Sequence, residues 1–352
     1  MKKPETLVVI TPAFPEHELA SWWVPSQQAM VKALQDNFPQ LQVTVLSMIY
    51  PYKVTSYQWN GIPVQSFDGM HHRKLKRLLL WARMWRSLQQ IRKQHTIIGL
   101  FSFWNGECAF IAQYFGRRYS IRHISWICGQ DAKKENQWVR FIRPKANQLA
   151  AMSVSLRNQF SLSHGIIPLH LVPNAIDPAA FATPENARRD IDIMAAGSFE
   201  PLKQYDLYAE IIGSLRFSFP TIRAIHCGQG REKEKVEDVI RKLKLKAYLS
   251  LLGGLSHKEV LALMQRSKLF LHTSRYEGCS TVCLEALYAG AQVISFCYPF
   301  DHPVPHWHVV PDAEAMIAKA KELLQDKDTP YTPVLLNTME ESAKAVMQLF
   351  RS

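Results

Sequence analysis

The chain has 352 residues, of which 47% are hydrophobic, and it carries 42 lysines and arginines against 30 acidic residues. This length and composition predict two folded domains with enough apolar material for two cores, which excludes a disordered or fibrous protein. No apolar run approaches the roughly 20 residues that a membrane-spanning helix needs, so no transmembrane segment is expected.

The positive charge is concentrated in one half of the chain. Residues 1–175 hold 21 basic and 8 acidic residues, whereas residues 176–352 hold 21 basic and 22 acidic residues. Near the start, two lysines precede the apolar run Leu7–Ile10, but Pro12 and Pro15 follow it after a stretch of strand length. This pattern favours a buried first strand over a signal peptide.

The cysteines point to an intracellular setting. All six lack the Cys-x-x-Cys spacing of zinc and redox motifs, and several lie in apolar segments. Reduced thiols in a cytoplasm are therefore expected rather than disulfides or a zinc site. We predict a cytoplasmic protein, with a peripheral position on the inner face of the cytoplasmic membrane left open.

Short apolar runs alternate with helical patterns through the first half of the chain. Helical spacing occurs near Gln27–Asp36 and over residues 73–94. Strands are predicted at Leu7–Ile10, Gln42–Met48, Thr96–Phe101, Ile124–Ile127, Ala151–Val154 and Leu169–Val172. This alternation predicts a doubly wound, mainly parallel sheet.

The helical segment 73–94 is basic and amphipathic. It holds Arg73, Lys74, Lys76, Arg77, Arg83, Arg86, Arg92 and Lys93, with no acidic residue between Asp68 and Glu107. Apolar residues recur among them at three- and four-residue steps, at Leu75, Leu78, Ala82, Trp85 and Leu88, and Trp81 adds a second tryptophan.

Two interpretations of this helix remain open. In the first, residues 73–93 lie on an anionic membrane surface. In the second, the helix packs Leu78 and Trp85 on the sheet and leaves its cations in solvent. Binding to nucleic acid is not expected, because the chain has no recognition motif of that class.

The second half repeats the alternation of strands and helices. Strands are predicted at Asp192–Ala196, Ile222–His226, Tyr248–Leu252, Leu269–His272 and Gln292–Ser295. Asp190 and Asp192 resemble a metal-binding Asp-x-Asp pair, but they precede a strand instead of following it, so no metal site is predicted there. The histidines at 71, 72, 302, 306 and 308 also lack a matching set of ligands.

The segment around Glu277 is the most informative part of the chain. The strand Leu269–His272 is followed by a polar loop and then by helical spacing over Thr281–Ala289, with Ser280 as a candidate N-cap and Gly290 as the expected C-cap residue. Amides around Cys279, Ser280 and Thr281 would face an anion such as pyrophosphate, flanked by the carboxylates of Glu277 and Glu285. Such a site would lie at the carboxyl end of a strand, where open α/β sheets bind ligands.

Several other motifs extend this pattern from Asn174 to about Ser295. They are Leu171-Val-Pro-Asn-Ala-Ile-Asp-Pro-Ala-Ala-Phe181, Ala196-Gly-Ser-Phe-Glu-Pro-Leu-Lys-Gln-Tyr-Asp206, Cys227-Gly-Gln-Gly230 and Leu251-Leu-Gly-Gly-Leu-Ser-His-Lys-Glu259. In this order they resemble the donor-binding half of retaining glycosyltransferases of family 4, the glycosyl transferases group 1, which have the GT-B fold. Several positions depart from the family pattern: Ala175 replaces a glycine, Ser198 replaces an arginine, Ala20-Ser-Trp-Trp23 replaces a glycine-rich turn, and Cys128 replaces a histidine.

The resemblance implies two Rossmann-like domains that face a cleft. Residues 1–173 would form the acceptor-side domain and residues 174–335 the nucleotide-sugar donor domain. The last helix, near Thr338–Phe350, would return to the first domain within residues 336–352. The segment Trp126-Ile-Cys-Gly-Gln-Asp131 resembles a cleft loop of the family, with Cys128 in place of histidine, so Gly129 and Asp131 are expected near the site.

By the same resemblance, Lys203 would bind the donor phosphates and Glu277 would bind the transferred sugar and favour an oxocarbenium-like state. Glu285 would hold the ribose hydroxyls. The remaining donor-binding candidates are Gly197, Ser198, Leu252, Gly253, Gly278, Cys279, Ser280 and Thr281. The predicted reaction is metal-independent transfer, with retention, from a nucleoside-diphosphate sugar to a hydroxyl of a lipid-linked or saccharide acceptor, with no cofactor.

Two other functions remain open at this stage. One is a nucleotide-sugar epimerase of the same fold, which Lys203 and the two glutamates argue against. The other is a catalytically weak binding protein that only holds a nucleotide or docks on a partner enzyme, which the missing arginine, histidine and glycine turn would suit.

Overall fold

The computed structural model describes residues 3–20, 24–70, 75–181 and 188–351. Three predicted features therefore lie outside the described residues: positions 21–23 of the segment that starts at Ala20, the paired histidines at 71 and 72, and the first two cations of the basic helix, at 73 and 74. The chain separates into two units, residues 1–175 with 337–352 and residues 176–336. The resemblance placed these boundaries at 173/174 and 335/336.

The first unit contains an eight-stranded sheet, parallel except for one edge pair, in the order β3-β4-β2-β1-β5-β6-β7-β8. Its strands are β1 Glu5–Ala13, β2 Gln42–Tyr50, β3 Val54–Trp59, β4 Ile62–Phe67, β5 Thr96–Phe103, β6 His123–Ile127, β7 Leu149–Ala151 and β8 His170–Leu171. Its helices are α1 Pro25–Asn37, α2 Leu75–Gln94, α3 Glu107–Tyr119, α4 Trp138–Ile142, α5 Val154–His164 and α11 Met339–Arg351. The central strands β1, β2 and β5 are almost wholly buried, as expected of a parallel sheet covered on both faces.

The second unit contains a six-stranded parallel sheet in the order β11-β10-β9-β12-β13-β14. Its strands are β9 Ile191–Ala196, β10 Ala224–Cys227, β11 Leu249–Gly253, β12 Ser267–His272, β13 Gln292–Ser295 and β14 Trp307–Val309. Its helices are α6 Tyr205–Leu215, α7 Lys233–Lys242, α8 His257–Gln265, α9 Thr281–Tyr288 and α10 Ala313–Gln325. Both units are thus doubly wound, and the predicted fold class is confirmed.

The last helix belongs to the first unit, as the resemblance implied. Ala343, Val346 and Met347 of this helix are buried, and the helix packs on α1. Ser342 Oγ donates to the carbonyl of Pro173 at 2.8 Å. A side chain added at Gly99 of β5 would overlap the ring of Phe350, so α11 lies directly on the sheet.

Two elements differ from the predictions in the first unit. The strand predicted at Ala151–Val154 ends at Ala151, because Ser153 Oγ accepts from the amide of Leu156 at 3.2 Å and caps helix α5. The hairpin β3–β4 was not predicted, although Asn60 and Gly61 both have positive φ in its two-residue turn. This dipeptide is a strong hairpin signal.

Helix α2 also buries a different face from the one predicted. Leu80, Met84 and Leu88 are buried against the first unit's core, whereas Leu75 and Leu78 are exposed. The interpretation that packs Leu78 on the sheet is therefore wrong. Trp85 is partly buried, with its ring against Phe115.

Candidate functional site

The predicted donor residues surround the topological switch point of the second sheet, where the strand order reverses on the two sides of β9. Strand β9 pairs with β10 on one side and with β12 on the other, so the chain leaves the carboxyl ends of β9 and β12 into loops that diverge from each other. A crevice of this kind is where open α/β sheets bind ligands. Lys203 follows β9 and Glu277 follows β12, and the structure brings these two side chains into contact.

Lys203 and Glu277 form an ion pair at this point. Lys203 Nζ donates to Glu277 Oε1, and both side chains are less than a quarter exposed. Burial alone would raise the pKa of Glu277, but the hydrogen bond from His272 and the positive charge of Lys203 outweigh it and lower the pKa to about 2. Glu277 is therefore a fixed negative charge at neutral pH.

His272, the last residue of β12, is a second partner that the sequence analysis did not single out. Its Nε2 lies 3.4 Å from Glu277 Oε1 and 3.2 Å from Ser280 Oγ. Burial lowers the pKa of His272 despite the nearby carboxylate, so the ring is neutral at physiological pH. We infer that it acts on Glu277 as a hydrogen-bond donor and that Lys203 supplies the charge.

The two loops that carry Lys203 and Glu277 are joined by further hydrogen bonds. Thr273 Oγ1 donates to the carbonyl of Lys203 at 2.7 Å, and Arg275 Nε donates to Gln204 Oε1 at 2.8 Å. These bonds fix the lysine and the glutamate relative to each other, which is a form of preorganisation.

Glu285 occupies a different environment from Glu277. It lies on α9 with its side chain 5% exposed, and His257 Nε2 of α8 is 2.7 Å from its Oε1. Burial would lower the pKa of His257, but the hydrogen bond and charge of Glu285, helped by Asp177, raise it. The carboxylate predicted to hold ribose hydroxyls is thus already bound on one oxygen by a histidine that the sequence analysis left unassigned.

The start of α9 has the predicted position but not the predicted cap. Thr281 is its first residue and Ser280 its N-cap, yet the Ser280 hydroxyl makes no capping bond and contacts His272 instead. Gly278, Cys279 and Ser280 are buried, and Thr281 is half-buried. At the other end, Gly290 has φ +79° and Ala291 N donates to Ala286 O at 2.9 Å, so the predicted glycine C-cap is present.

Glycines bring the ends of β9, β10 and β11 close together. Gly197 N donates to Cys227 O at 2.9 Å, and Gly228 N donates to Gly253 O at 2.7 Å. A Cβ at Gly228 would overlap the carbonyl of Gly197, so no larger residue fits. The predicted donor residues Ser198 and Leu252 are exposed beside these turns.

Gly129 and Asp131 lie in the first unit, in the turn after β6. The Asp131 carboxylate accepts the backbone N–H groups of Asn105 at 2.8 Å, Gly129 at 2.7 Å and Cys128 at 3.2 Å. Burial raises the pKa of Asp131 to about 6, although these N–H groups pull it down. This carboxylate therefore organises the loop.

The Asp190 and Asp192 side chains are engaged with cations at the amino end of β9. Arg266 donates to Asp190 at 2.6 and 2.9 Å and lowers the pKa of Asp190 to about 2. Lys268 donates to Asp192 at 2.7 Å. Within the described ranges, no three His, Cys, Asp or Glu side chains are grouped so that they could share a metal ion. All six cysteines are free thiols.

Comparison with known proteins finds similarity mainly in the second unit. Residues 179–344 match the family described as Glycosyl transferases group 1. One component of phosphatidylinositol N-acetylglucosaminyltransferase from Homo sapiens is 31% identical over 153 residues, 42% of this chain and 31% of that protein. Glycogen synthase from Mycobacterium tuberculosis (strain CDC 1551 / Oshkosh) is 24% identical over 180 residues, 49% of this chain and 43% of that protein. The chain spans less than half the length of these curated relatives.

Solved structures match nearly the whole chain at low sequence identity. Sucrose-phosphate synthase from Thermosynechococcus elongatus has a TM-score of 0.71 at 13% identity over 98% of this chain and 95% of that chain. HepE of Anabaena, in complex with UDP, scores 0.69 at 14% identity, covering 99% and 96%. WaaG, a glycosyltransferase involved in lipopolysaccharide biosynthesis, scores 0.67 at 14% identity, covering 99% and 95%. The chain therefore has the GT-B fold, and residues 179–344 match the glycosyl transferases group 1 model.

Proposed function

We propose that the chain is a retaining glycosyltransferase of the family 4 type, which moves a sugar from a nucleoside-diphosphate sugar to a hydroxyl of an acceptor. The observation that carries this proposal is the contact between Lys203 and Glu277 at the switch point of the second sheet, with His272 on the same carboxylate oxygen. A cation and an ionised carboxylate held side by side match the two charges that must be stabilised when a sugar–diphosphate bond breaks.

The chemistry assigns one role to each charge. As the anomeric bond breaks, negative charge develops on the departing diphosphate, where Lys203 and the amides around residues 279–281 would receive it. Positive charge develops on the sugar ring, and Glu277, kept ionised by its low pKa, would bind the sugar hydroxyls and favour that state. Lys203 Nζ contacts Glu277, and its flexible side chain would let the same ammonium group also contact the diphosphate.

The nucleoside would be held near α8 and α9. Glu285 would accept the ribose hydroxyls, with His257 already fixing one of its oxygens. Leu252 and Gly253 at the end of β11 would lie near the base. Uridine diphosphate is the first nucleotide to test, because HepE was solved with UDP.

The acceptor would be a lipid-linked or saccharide hydroxyl in the synthesis of a cell-surface polysaccharide, lipopolysaccharide or glycolipid. The names of two similar proteins support this class: one belongs to a phosphatidylinositol N-acetylglucosaminyltransferase, and WaaG is involved in lipopolysaccharide biosynthesis. No cofactor other than the donor is proposed, and no metal, because Lys203 and the amides of the α9 start would supply the stabilising charge.

Slow donor hydrolysis in the absence of acceptor tests this proposal. The wild-type chain should release nucleoside diphosphate and a sugar of retained configuration, equally in magnesium and in a chelator. Glu277→Gln should lower the rate by about 100-fold or more, the scale of losing one preorganised electrostatic contact. Glu234→Gln, on an exposed position of α7, is the matched control and should keep the full rate.

Other outcomes would reject the proposal in identifiable ways. Nucleotide binding without any turnover would indicate the catalytically weak binding protein. A changed configuration in a sugar still attached to its nucleotide would indicate an epimerase.

A further inference from the structure

Helix α2 has a second apolar face that the core of the first unit does not cover. While Leu80, Met84 and Leu88 are buried in that core, Leu75 is 75% exposed, Leu78 is 54% exposed and Leu79 is 59% exposed. Three exposed leucines within five residues of one helix form an apolar patch, and such patches mark surfaces that bind a protein or a membrane.

Aromatic rings extend this surface from α2 across α3 to α4. The Trp81 ring of α2 lies 5.2 Å from Phe110 of α3 and 6.2 Å from Trp138 of α4, and Phe110 lies 5.6 Å from Trp138. Beyond this half-buried row, Tyr114 of α3 is 42% exposed and Phe141 of α4 is 54% exposed. Three helices that are separate in sequence therefore present one row of aromatic and leucine side chains.

The charge around this row is almost entirely positive. Residues 75–145 contain 14 lysines and arginines and 3 acidic residues. Two of the three acids are directed inward, because Glu107 is bound by Arg77 and by the indole N–H of Trp81, and Asp131 is bound by backbone N–H groups. The exposed cations on or next to the helices are Lys76, Arg83, Arg86, Arg92, Lys93, Arg117, Arg118, Lys134, Arg140, Arg143 and Lys145.

A groove lies between α4 and α5. It has a volume of about 750 Å³, and Lys134, Arg140 and Arg143 line it together with one acid, Glu135. Three cations around a groove of this size could accommodate a phosphate-bearing headgroup.

We propose that α2, α3 and α4 form a single membrane-binding surface, which we call the three-helix face, for the headgroup region of an anionic lipid bilayer. Leu75, Leu78, Leu79, Tyr114 and Phe141 would enter the interface, and the surrounding cations would lie among the lipid phosphates. A bilayer interface offers the combination that this face requires, since tyrosine and tryptophan favour the headgroup level and lysine and arginine are attracted to an anionic surface.

This inference goes beyond a basic helix on a membrane, because it makes α3 and α4 equal contributors. It also modifies the role of one α2 cation: Arg77 donates to Glu107 and to the carbonyl of Gly69 and is therefore structural. The inference does not depend on the donor site, so a failure of either can be recognised separately.

Co-sedimentation of the full chain with lipid vesicles tests the proposal. Wild-type protein should bind vesicles of phosphatidylcholine with phosphatidylglycerol, lose binding as salt is raised, and bind pure phosphatidylcholine weakly. Three double variants probe the face: Leu78→Ser with Leu79→Ser, Tyr114→Ser with Phe141→Ser, and Arg140→Glu with Lys145→Glu. Each should weaken binding to the anionic vesicles by about tenfold or more, the effect of losing roughly 1–2 kcal/mol.

The control variant carries the same charge change on the second unit, Lys242→Glu with Lys246→Glu, at exposed positions. It should bind vesicles nearly as the wild type does, and the circular dichroism spectrum and Tm of every variant should match those of the wild type, which verifies folding. Equal weakening by the control would overturn the three-helix face in favour of general electrostatic attraction. Full vesicle binding by the Tyr114/Phe141 and Arg140/Lys145 double variants would show that only α2 contacts the membrane and would overturn the three-helix face. If the wild type does not bind anionic vesicles, a lipid bilayer is excluded as the partner of this face.

Discussion

Glu277 and Glu285 lie on one loop and helix, yet each is held by its own histidine. His272 belongs to the strand that precedes Glu277, and His257 belongs to a different helix from Glu285. The sequence placed both glutamates correctly at the carboxyl edge of the sheet, because a strand, a polar loop and a helix follow each other there. It could not pair them with histidines, since those contacts depend on how β12, α8 and α9 pack in space.

The Lys203–Glu277 pair should control acid stability. Replacing Lys203 by alanine removes the charge that opposes burial of the carboxylate, so the pKa of Glu277 should rise from about 2. A carboxylate with a lowered pKa stabilises the fold above its ordinary pKa of 4.5 and loses that contribution as the pH falls through the folded-state value. The acid-unfolding midpoint of Lys203→Ala should therefore lie at higher pH than that of the wild type, as measured by circular dichroism.

The double variant Lys203→Ala with Glu277→Ala provides the control for this effect. It removes the buried charge together with its partner, so acid stability should recover while donor hydrolysis stays absent. An unchanged midpoint in Lys203→Ala would show that the lysine does not stabilise the carboxylate.

The contribution of His257 to folding stability should depend on pH with the opposite sign. Its pKa is raised above 6.5, so the stabilisation from its pairing with Glu285 is complete below that value and is lost as the pH rises through the folded-state pKa. The difference in Tm between the wild type and His257→Gln should therefore shrink as the pH rises above 6.5. A constant difference, measured by differential scanning fluorimetry, would mean that His257 stays neutral and only joins α8 to α9.

At the scale of elements, the glycine turns after β9 and β10 determine how closely two strand ends approach. Gly228 has φ +151° and leaves no room for a Cβ next to the carbonyl of Gly197. Gly228→Ala should cost about 1–3 kcal/mol from overpacking alone, in addition to backbone strain. Gly165→Ala is the comparison, because Gly165 also has positive φ but open space around it, so urea unfolding should show a smaller loss.

Elements were predictable where one periodicity dominates the sequence. The central strands of both sheets were found within a few residues, since buried parallel strands are continuous apolar runs, and α1 and α9 were found from their helical spacing. The position of α11 came from the family resemblance. The short edge strand β14 and the hairpin β3–β4 were missed, because they are partly exposed and lack such runs. On α2, two apolar faces coexist, and periodicity alone could not tell which of them packs on the sheet.

At the scale of the whole molecule, the end of the chain completes the first unit. Val346 of α11 is fully buried, so Val346→Asp would place an unpaired charge in the core at a cost of about 3–5 kcal/mol. Hydrogen exchange should rise in strands β1 to β8 and remain slow in β9 to β14. Gln348→Asp, on the exposed side of the same helix, should leave both sheets protected. Equal loosening of both sheets would contradict the assignment of α11 to the first unit.

The excess of basic residues in the first half is also a property of the whole chain, and the numbers of charged residues could be counted from the sequence. What the sequence could not show is where that charge lies, because α2, α3 and α4 become neighbours only through the sheet that they cover. The same holds for the donor site, whose residues come from the ends of three strands, β9, β11 and β12, that are far apart in the chain.

The proposed function requires the second unit to bind a nucleoside-diphosphate sugar at Lys203 and Glu277. The most direct test is titration calorimetry of the purified chain with uridine, guanosine and adenosine diphosphates and their common sugars, with magnesium and with a chelator. One nucleotide should bind in both conditions, and Lys203→Ala should weaken this binding by more than tenfold. If no nucleotide binds, or if Lys203→Ala binds as tightly as the wild type, the donor-site assignment is contradicted.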